Sequence, residues 1–228
     1  MPDRCLLYYI TDRTAFPGDE SERRRRLLEK IAEAARAGID YIQLREKDLP
    51  TRELESLARE AVRTVRQACQ PPADHEQRTT ALLINSSTDV ALAVGADSVH
   101  LRSNDISPEE VREAFRRAGA PARQLSAKNP LIAVSCHSPA EADQAAANQA
   151  TFAVFAPVFE KRNSPGAEPT GLARLEQACR TNIPVLSLGG ITLANAPSCL
   201  EAGAAGIAAI RLFQENNIAD VAKQLRNP

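Results

Sequence analysis

Strand-type runs alternate with helical stretches along this whole sequence, and that alternation constrains the fold more than any other feature. The runs lie at 6–10, 41–47, 81–85, 98–101, 131–135 and 152–158. Two more fall inside 184–211, one ending at Gly189-Gly190 and one at Ile210-Arg211. Between them come helical stretches near 21–37, 51–69, 88–94, 108–118, 139–147 and 172–179, then one reaching Leu200 and a last one at 218–225. Parallel strands need long crossover connections, so this order demands a parallel sheet. Eight repeats favour closure into a single (β/α)8 TIM barrel over an open doubly wound sheet. No shift in composition marks a boundary, and the reading is one α/β domain over 1–228.

Composition removes several function classes. A net charge of −1 and 4% aromatic residues give no support to nucleic acid as a partner. The apolar runs are too short to span a bilayer, and residues 1–12 lack the features of a secretory signal. The cysteines (Cys5, Cys69, Cys136, Cys179, Cys199) are odd in number and scattered, which suits reduced thiols in a cytoplasmic protein. Nothing here fixes an oligomeric state, and a homo-oligomer is compatible with it. The segment 70–80, with Pro71-Pro72, reads as a solvent loop that includes His75. The arginines 23–26 lie among glutamates and read as a solvated helix face.

Barrel strands are covered on both sides, so polar side chains on them need a reason. Gln43, Arg45 and Lys47 share one face of their strand, opposite Ile42 and Leu44. Asn85 ends the third run, and Ser135 and His137 end the fifth. These groups converge on the C-terminal mouth, where barrel enzymes place their chemistry, and they suit an anionic substrate. The alternative for Arg45 and Lys47 is an ion-pair network with Glu46 or Asp48; for Asn85 it is a helix N-cap. His100, inside an apolar run, reads as a hydrogen-bonded core histidine, whereas His137 reads as an acid/base candidate. The Gly189-Gly190 strand end suits phosphate, with the N–H groups of the following helix and Arg211 as further donors; the alternative is a tight turn.

The motifs Tyr9-Ile10-Thr11-Asp12, Gln43-Leu44-Arg45-Glu46-Lys47, Leu82-Leu83-Ile84-Asn85, Val99-His100-Leu101, Val134-Ser135-x-His137-Ser138, Pro157-Val158-Phe159 and Gly189-Gly190-Ile191 occur in this order. With them the chain resembles the thiamine phosphate synthase and TenI family of barrel proteins over nearly its whole length. The resemblance implies one of two reactions. A synthase joins hydroxymethylpyrimidine diphosphate to a phosphorylated thiazole with Mg²⁺, releasing pyrophosphate. Gln43 would then contact the pyrimidine, Arg45, Lys47, Asn85 and Ser135 the diphosphate, Asp105 the metal, and Gly189 and Gly190 the thiazole phosphate. A TenI-like tautomerase instead moves a proton on the thiazole, with His137 as the acid/base and no metal.

This chain departs from the synthase pattern in places. Ser86 stands where a magnesium carboxylate is usual, and Arg102-Ser103-Asn104 precedes Asp105 in place of Gly-Gln. Lys161 and Arg162 replace a threonine-lysine loop, and Arg211 replaces a serine. A lost carboxylate weakens a Mg²⁺ site, while Lys161 and Arg211 add cationic charge near a phosphate. These changes place the tautomerase slightly ahead of the synthase, while the 43–47 strand pulls the other way. A Schiff-base aldolase using Lys47 and a non-catalytic, precursor-binding barrel are the readings from other classes.

Overall fold

The structure is a computed structural model describing residues 4–69, 80–118, 130–160 and 168–227. Among them, eight parallel strands close into a barrel in sequence order: β1 (Leu6–Ile10), β2 (Tyr41–Leu44), β3 (Ala81–Asn85), β4 (Ser98–Leu101), β5 (Leu131–Cys136), β6 (Phe152–Phe155), β7 (Val185–Ser187) and β8 (Gly206–Ala209). Between strands run α1 (Glu20–Arg36), α2 (Thr51–Ala68), α3 (Thr88–Val94), α4 (Pro108–Arg117), α5 (Pro139–Ala147), α6 (Gly171–Ala178) and α7 (Ala196–Glu201); α8 (Arg211–Gln214) and α9 (Ile218–Arg226) follow β8. β8 pairs with β1 through Leu6 opposite Gly206 and Tyr9 opposite Ala209, which closes the ring. The alternation of sequence runs thus becomes a (β/α)8 barrel.

Local chemistry sets the helix starts. Asp19 accepts from the Glu22 N–H to open α1, and Ser107 with Glu110 forms a reciprocal capping box before Pro108 at the start of α4. Strand parity then splits the core into two shells. Leu7, Tyr9, Ile42, Leu44, Leu82 and Ile84 face outward onto the helices. Tyr8, Ile10, Leu83, Ala133, Phe152, Val154, Leu186 and Ala208 fill the barrel interior. Tyr41 stacks on Phe152 at 4.6 Å between ring centres, and Tyr8 meets both rings edge-on. This interior plug supports the polar residues above it.

The structure revises several boundaries. β6 ends at Phe155, before Pro157, which has no N–H to continue the ladder. Arg211 does not end β8; it opens the four-residue α8 one step beyond Ile210. A 3-10 turn at Arg13–Ala15, which no apolar periodicity marks, follows β1 with Asp12 as its cap. His75 and all of the 70–80 loop but Thr80 lie outside the described residues, as do Lys161 and Arg162. No described helix is long and apolar enough to cross a membrane.

Candidate active site at the barrel mouth

β2 carries the densest part of the site. Gln43 is 1% exposed inside the barrel; β2 ends at Leu44, short of the expected 41–47 run, so the half-buried Arg45 and the exposed Lys47 lie in the segment beyond it, where strand parity no longer applies. Glu46, in the same segment, is buried. Its carboxylate accepts from the Thr11 hydroxyl at 2.6 Å, the Arg13 N–H at 3.0 Å and Arg13 Nη1 at 3.3 Å. Arg13, only 4% exposed, also forms a two-toothed pair with Asp48 at 2.7 and 2.8 Å and reaches Glu20 at 2.9 Å. Arg13 thus engages both Glu46 and Asp48. Burial raises the Glu46 carboxyl above its ordinary value, against the Thr11 hydroxyl and Arg13. The Arg13 guanidinium holds Asp48 below its ordinary value. The Arg45 N–H donates to Thr11 Oγ1 at 3.0 Å, so the same network fixes the backbone that aims the clamp.

A buried polar spine crosses the interior beneath the mouth. The Tyr8 hydroxyl contacts His100 Nδ1 at 2.9 Å, with the Gln43 side chain beside it. His100 Nε2 meets Ser135 Oγ at 2.7 Å. Burial, and then the Arg45 charge, lower the His100 pKa to about 3, so the imidazole stays neutral, with one donor and one acceptor nitrogen. His100 is the hydrogen-bonded core residue its sequence context predicts, and through it Gln43 and Ser135 join one chain of contacts. Asn85 does not cap α3: the cap is Ser87, without a side-chain bond, and Asn85 Nδ2 donates to Ser86 Oγ at 3.3 Å.

Beyond β4, Asp105 meets an arginine. The Arg102 Nε and Nη2 groups donate to Asp105 Oδ1 at 3.1 and 2.9 Å, and the Arg102 N–H to Oδ2 at 2.8 Å. Burial pushes the Asp105 carboxyl up, but Arg102 and the Ser86 hydroxyl outweigh it and hold it below its ordinary value. Both carboxylate oxygens are thus occupied by Arg102, and the neighbouring position offers the Ser86 hydroxyl. Among the described residues no group of three or more His, Cys, Asp or Glu side chains could hold a metal ion. In this arrangement the side chains do not fit a resident Mg²⁺ on Asp105.

His137 is exposed at the end of β5. Its Nδ1 lies 2.7 Å from the Ala156 carbonyl, which can only accept, so Nδ1 carries a proton and Nε2 is the nitrogen that bears the lone pair in the neutral tautomer. Across the rim, Gly189 and Gly190 have φ of 98° and 66°. A Cβ on Gly189 would lie 2.7 Å from Pro157 Cα, and one on Gly190 2.5 Å from the Glu160 carbonyl oxygen. The close approach of the segment after β6 therefore requires both glycines. α7 starts only at Ala196, so no helix N-terminus abuts the glycine pair as expected, and the Thr192 N–H is taken by Asn195 Oδ1 at 2.8 Å. Arg211 is half-buried where α8 opens. Gln214, in the same helix, accepts from the Tyr9 hydroxyl at 3.0 Å and the Asp12 N–H at 3.2 Å, and donates to the Asp12 carbonyl at 2.7 Å. That clamp ties the β8 side of the rim to the β1 end.

Strand parity points to Gln43, Arg45, Asn85 and Ser135, but Thr11, Arg13, Arg102 and Gln214 carry no such signal. With the geometry in place, comparison with known proteins is specific. A family model described as thiamine monophosphate synthase matches residues 7–213. The thiamine-phosphate synthase of Roseiflexus castenholzii is 36% identical over 209 residues, covering 91% of this chain and 80% of its own. That of Methanoculleus marisnigri is 34% identical over 224 residues, covering 97% and 93%. The solved thiamine phosphate pyrophosphorylase from Pyrococcus furiosus matches with a TM-score of 0.73 at 29% identity, covering 97% of this chain and 94% of that one.

Proposed function

The chain belongs to the thiamine monophosphate synthase family, and from that premise we propose that it works as a thiamine-phosphate synthase. Its substrates would be hydroxymethylpyrimidine diphosphate and a thiazole phosphate, and its products thiamine phosphate and pyrophosphate. The synthase names of the relatives support this alternative better than the tautomerase that the altered motifs placed ahead. One observation carries the reading: Arg45 stands half-buried just past the end of β2, above the buried Gln43, with its backbone N–H held by Thr11 Oγ1 at 3.0 Å. A guanidinium fixed at that point of the mouth suits a diphosphate.

The proposed chemistry is ionisation. The bond between the pyrimidine methylene and the diphosphate oxygen breaks, and its electron pair leaves with pyrophosphate. Arg45 and Lys47 stabilise that growing charge, and Gln43 and Ser135, oriented by Tyr8 and His100, hold the pyrimidine and the departing group. The thiazole nitrogen then supplies the electron pair of the new C–N bond. Gly190 and Ile191 N–H groups, with Arg211, would anchor the thiazole phosphate. Because Arg102 occupies Asp105, no step is assigned to a protein-held Mg²⁺.

A second reading rests on His137: its Nε2 lone pair, set by the Nδ1 bond to Ala156, is the geometry a proton-transferring base needs. Two assays on purified protein separate the readings, one for pyrimidine–thiazole coupling and one for thiazole aromatisation. Coupling should turn over and fall about 10²–10³-fold in Arg45→Ala, with His137→Asn affecting it far less. Aromatisation without coupling, abolished by His137→Asn, would replace the synthase reading with the tautomerase.

A further inference from the structure

Arg102 is used by nothing in the scheme above, yet it sits at the mouth beside the site's second acid. Its side chain is 56% exposed while that of Asp105, behind it, is 11% exposed. The turn itself does not need the guanidinium, because the Asp105 N–H already reaches the Arg102 carbonyl at 3.2 Å and the Arg102 N–H reaches Asp105 Oδ2 at 2.8 Å. The side chain adds a cation, fixed by two bonds to Oδ1. Two of a guanidinium's five N–H bonds are so used, and the rest of the fork remains directed away from Asp105.

Its surroundings place that cation on the diphosphate side. Ser86 lies between Asn85, which donates to its hydroxyl, and Asp105, which its own hydroxyl meets. The Ser86 N–H donates to the His100 carbonyl at 2.9 Å, and Leu44 pairs with Ile84, so Arg45 and Asn85 follow side by side at the ends of β2 and β3. Arg45, Asn85, Ser86, Asp105 and Arg102 therefore form one arc over β2, β3 and β4. Where two carboxylates would hold a divalent cation, this arc has one carboxylate, a hydroxyl and a built-in guanidinium. A guanidinium is always charged and presents a rigid donor fork matched to phosphate oxygens.

We propose that Arg102, held in place by Asp105, is a diphosphate-binding residue that serves as the cation of this arc, so that the chain binds diphosphate without Mg²⁺. The inference rests on the synthase reading for the identity of the anion. Its test is titration calorimetry of inorganic pyrophosphate, with EDTA or with Mg²⁺, on wild type, Arg102→Gln and Ser86→Asp/Arg102→Gly. Wild type should bind in EDTA, and Arg102→Gln should weaken that binding about 10- to 100-fold with an unchanged melting temperature. The double variant should bind pyrophosphate well only when Mg²⁺ is added. Wild-type binding that requires Mg²⁺, or equal affinity in Arg102→Gln, would overturn the role of Arg102 and leave the synthase reading standing. A double variant indifferent to Mg²⁺ would overturn the claim that the arginine takes a metal's place. No pyrophosphate binding by wild type in either condition would overturn both this inference and the synthase reading.

Discussion

The two sides of the barrel mouth are built on different principles. From β1 to β5 the rim is made of side chains: Arg45 and Lys47 above Gln43, backed by Arg13 and Glu46, with His100 joining Tyr8 to Ser135. From β6 to β8 the described rim is mostly backbone, with Gly189 and Gly190 packed under the Pro157–Glu160 segment. The first side holds its shape through hydrogen bonds between residues far apart in sequence; the second, apart from the Gln214 clamp where it meets β1, does so through the absence of side chains. A side-chain clamp can follow a group whose charge grows during reaction, and it depends on every supporting partner. A backbone cup is fixed before any ligand arrives and tolerates almost no added atom. The division matches the proposed chemistry, with the departing diphosphate on the first side and a spectator phosphate on the second.

The largest effect should come from removing the support of the clamp. In Arg13→Ala, the buried Glu46 loses its cation and the Nη1 donor that comes with it, while Asp48 and Glu20 lose their shared partner. The Arg13 N–H to Glu46 Oε2 bond can survive, since it is a backbone donor, so the loss is mainly electrostatic. Removing one partner of a buried pair costs about 3–5 kcal/mol. For a chain of this length that lowers Tm by roughly 6–20 °C. At a temperature where the variant is still folded, pyrophosphate binding should fall while inorganic phosphate binding at the glycine cup persists. A melting temperature within about 2 °C of wild type, a shift worth less than 1 kcal/mol, would show that the network is ornamental.

The fold was more legible in the sequence than this network. Most strands and helices lie within a residue or two of their sequence positions, because apolar periodicity reports burial directly. Gln43, Arg45, Asn85 and Ser135 stood out because a polar group on a covered strand violates that same periodicity. Arg13 did not, since it lies in a turn without periodicity and its partner Glu46 is 33 residues away. Gln214 is further still, 202 residues from Asp12, and barrel closure alone brings them together. Boundaries near β2, β6 and β8 failed for a local reason: the turn at 47–48, Pro157 and the short α8 interrupt runs that look continuous in composition. The glycine pair was visible, but its cause was not. The sequence suggested a ligand or a tight turn, whereas the geometry gives a backbone passing within van der Waals contact.

An intermediate effect is expected on the glycine side. Gly190→Ala forces a left-handed φ of 66° on a residue with a Cβ that would lie 2.5 Å from the Glu160 carbonyl oxygen. Strain of this kind costs about 1–3 kcal/mol, and the displaced loop should lose phosphate. Pyrophosphate affinity should stay within roughly twofold of wild type, a difference worth less than 1 kcal/mol. Equal losses of both ligands would show that the two sides are one coupled site, and the comparison would fail.

The smallest effect is a pH slope that belongs to the side-chain half alone. His100 is neutral in the folded barrel, with its pKa lowered from 6.5 to about 3 chiefly by burial. The unfolded chain takes up a proton near pH 6.5 that the folded chain refuses, so stability is complete above that pH and declines as pH falls towards 3. From pH 6.5 to 5.5 this one group should remove about 1 kcal/mol. Asp48 and Asp105, held low by arginines, act in the same sense but only below about pH 4, their ordinary range. Glu46, raised by burial, works in the opposite sense: its contribution is present at low pH and is lost as pH rises through its folded value. Comparing wild type with His100→Gln cancels these carboxylate contributions and leaves the imidazole. Urea unfolding at pH 6.5 and 5.5 should show the wild type losing about 1 kcal/mol more than the variant across that interval. Equal losses would mean that His100 is not held neutral, and that the spine from Tyr8 to Ser135 carries a charge at the mouth instead of a fixed dipole.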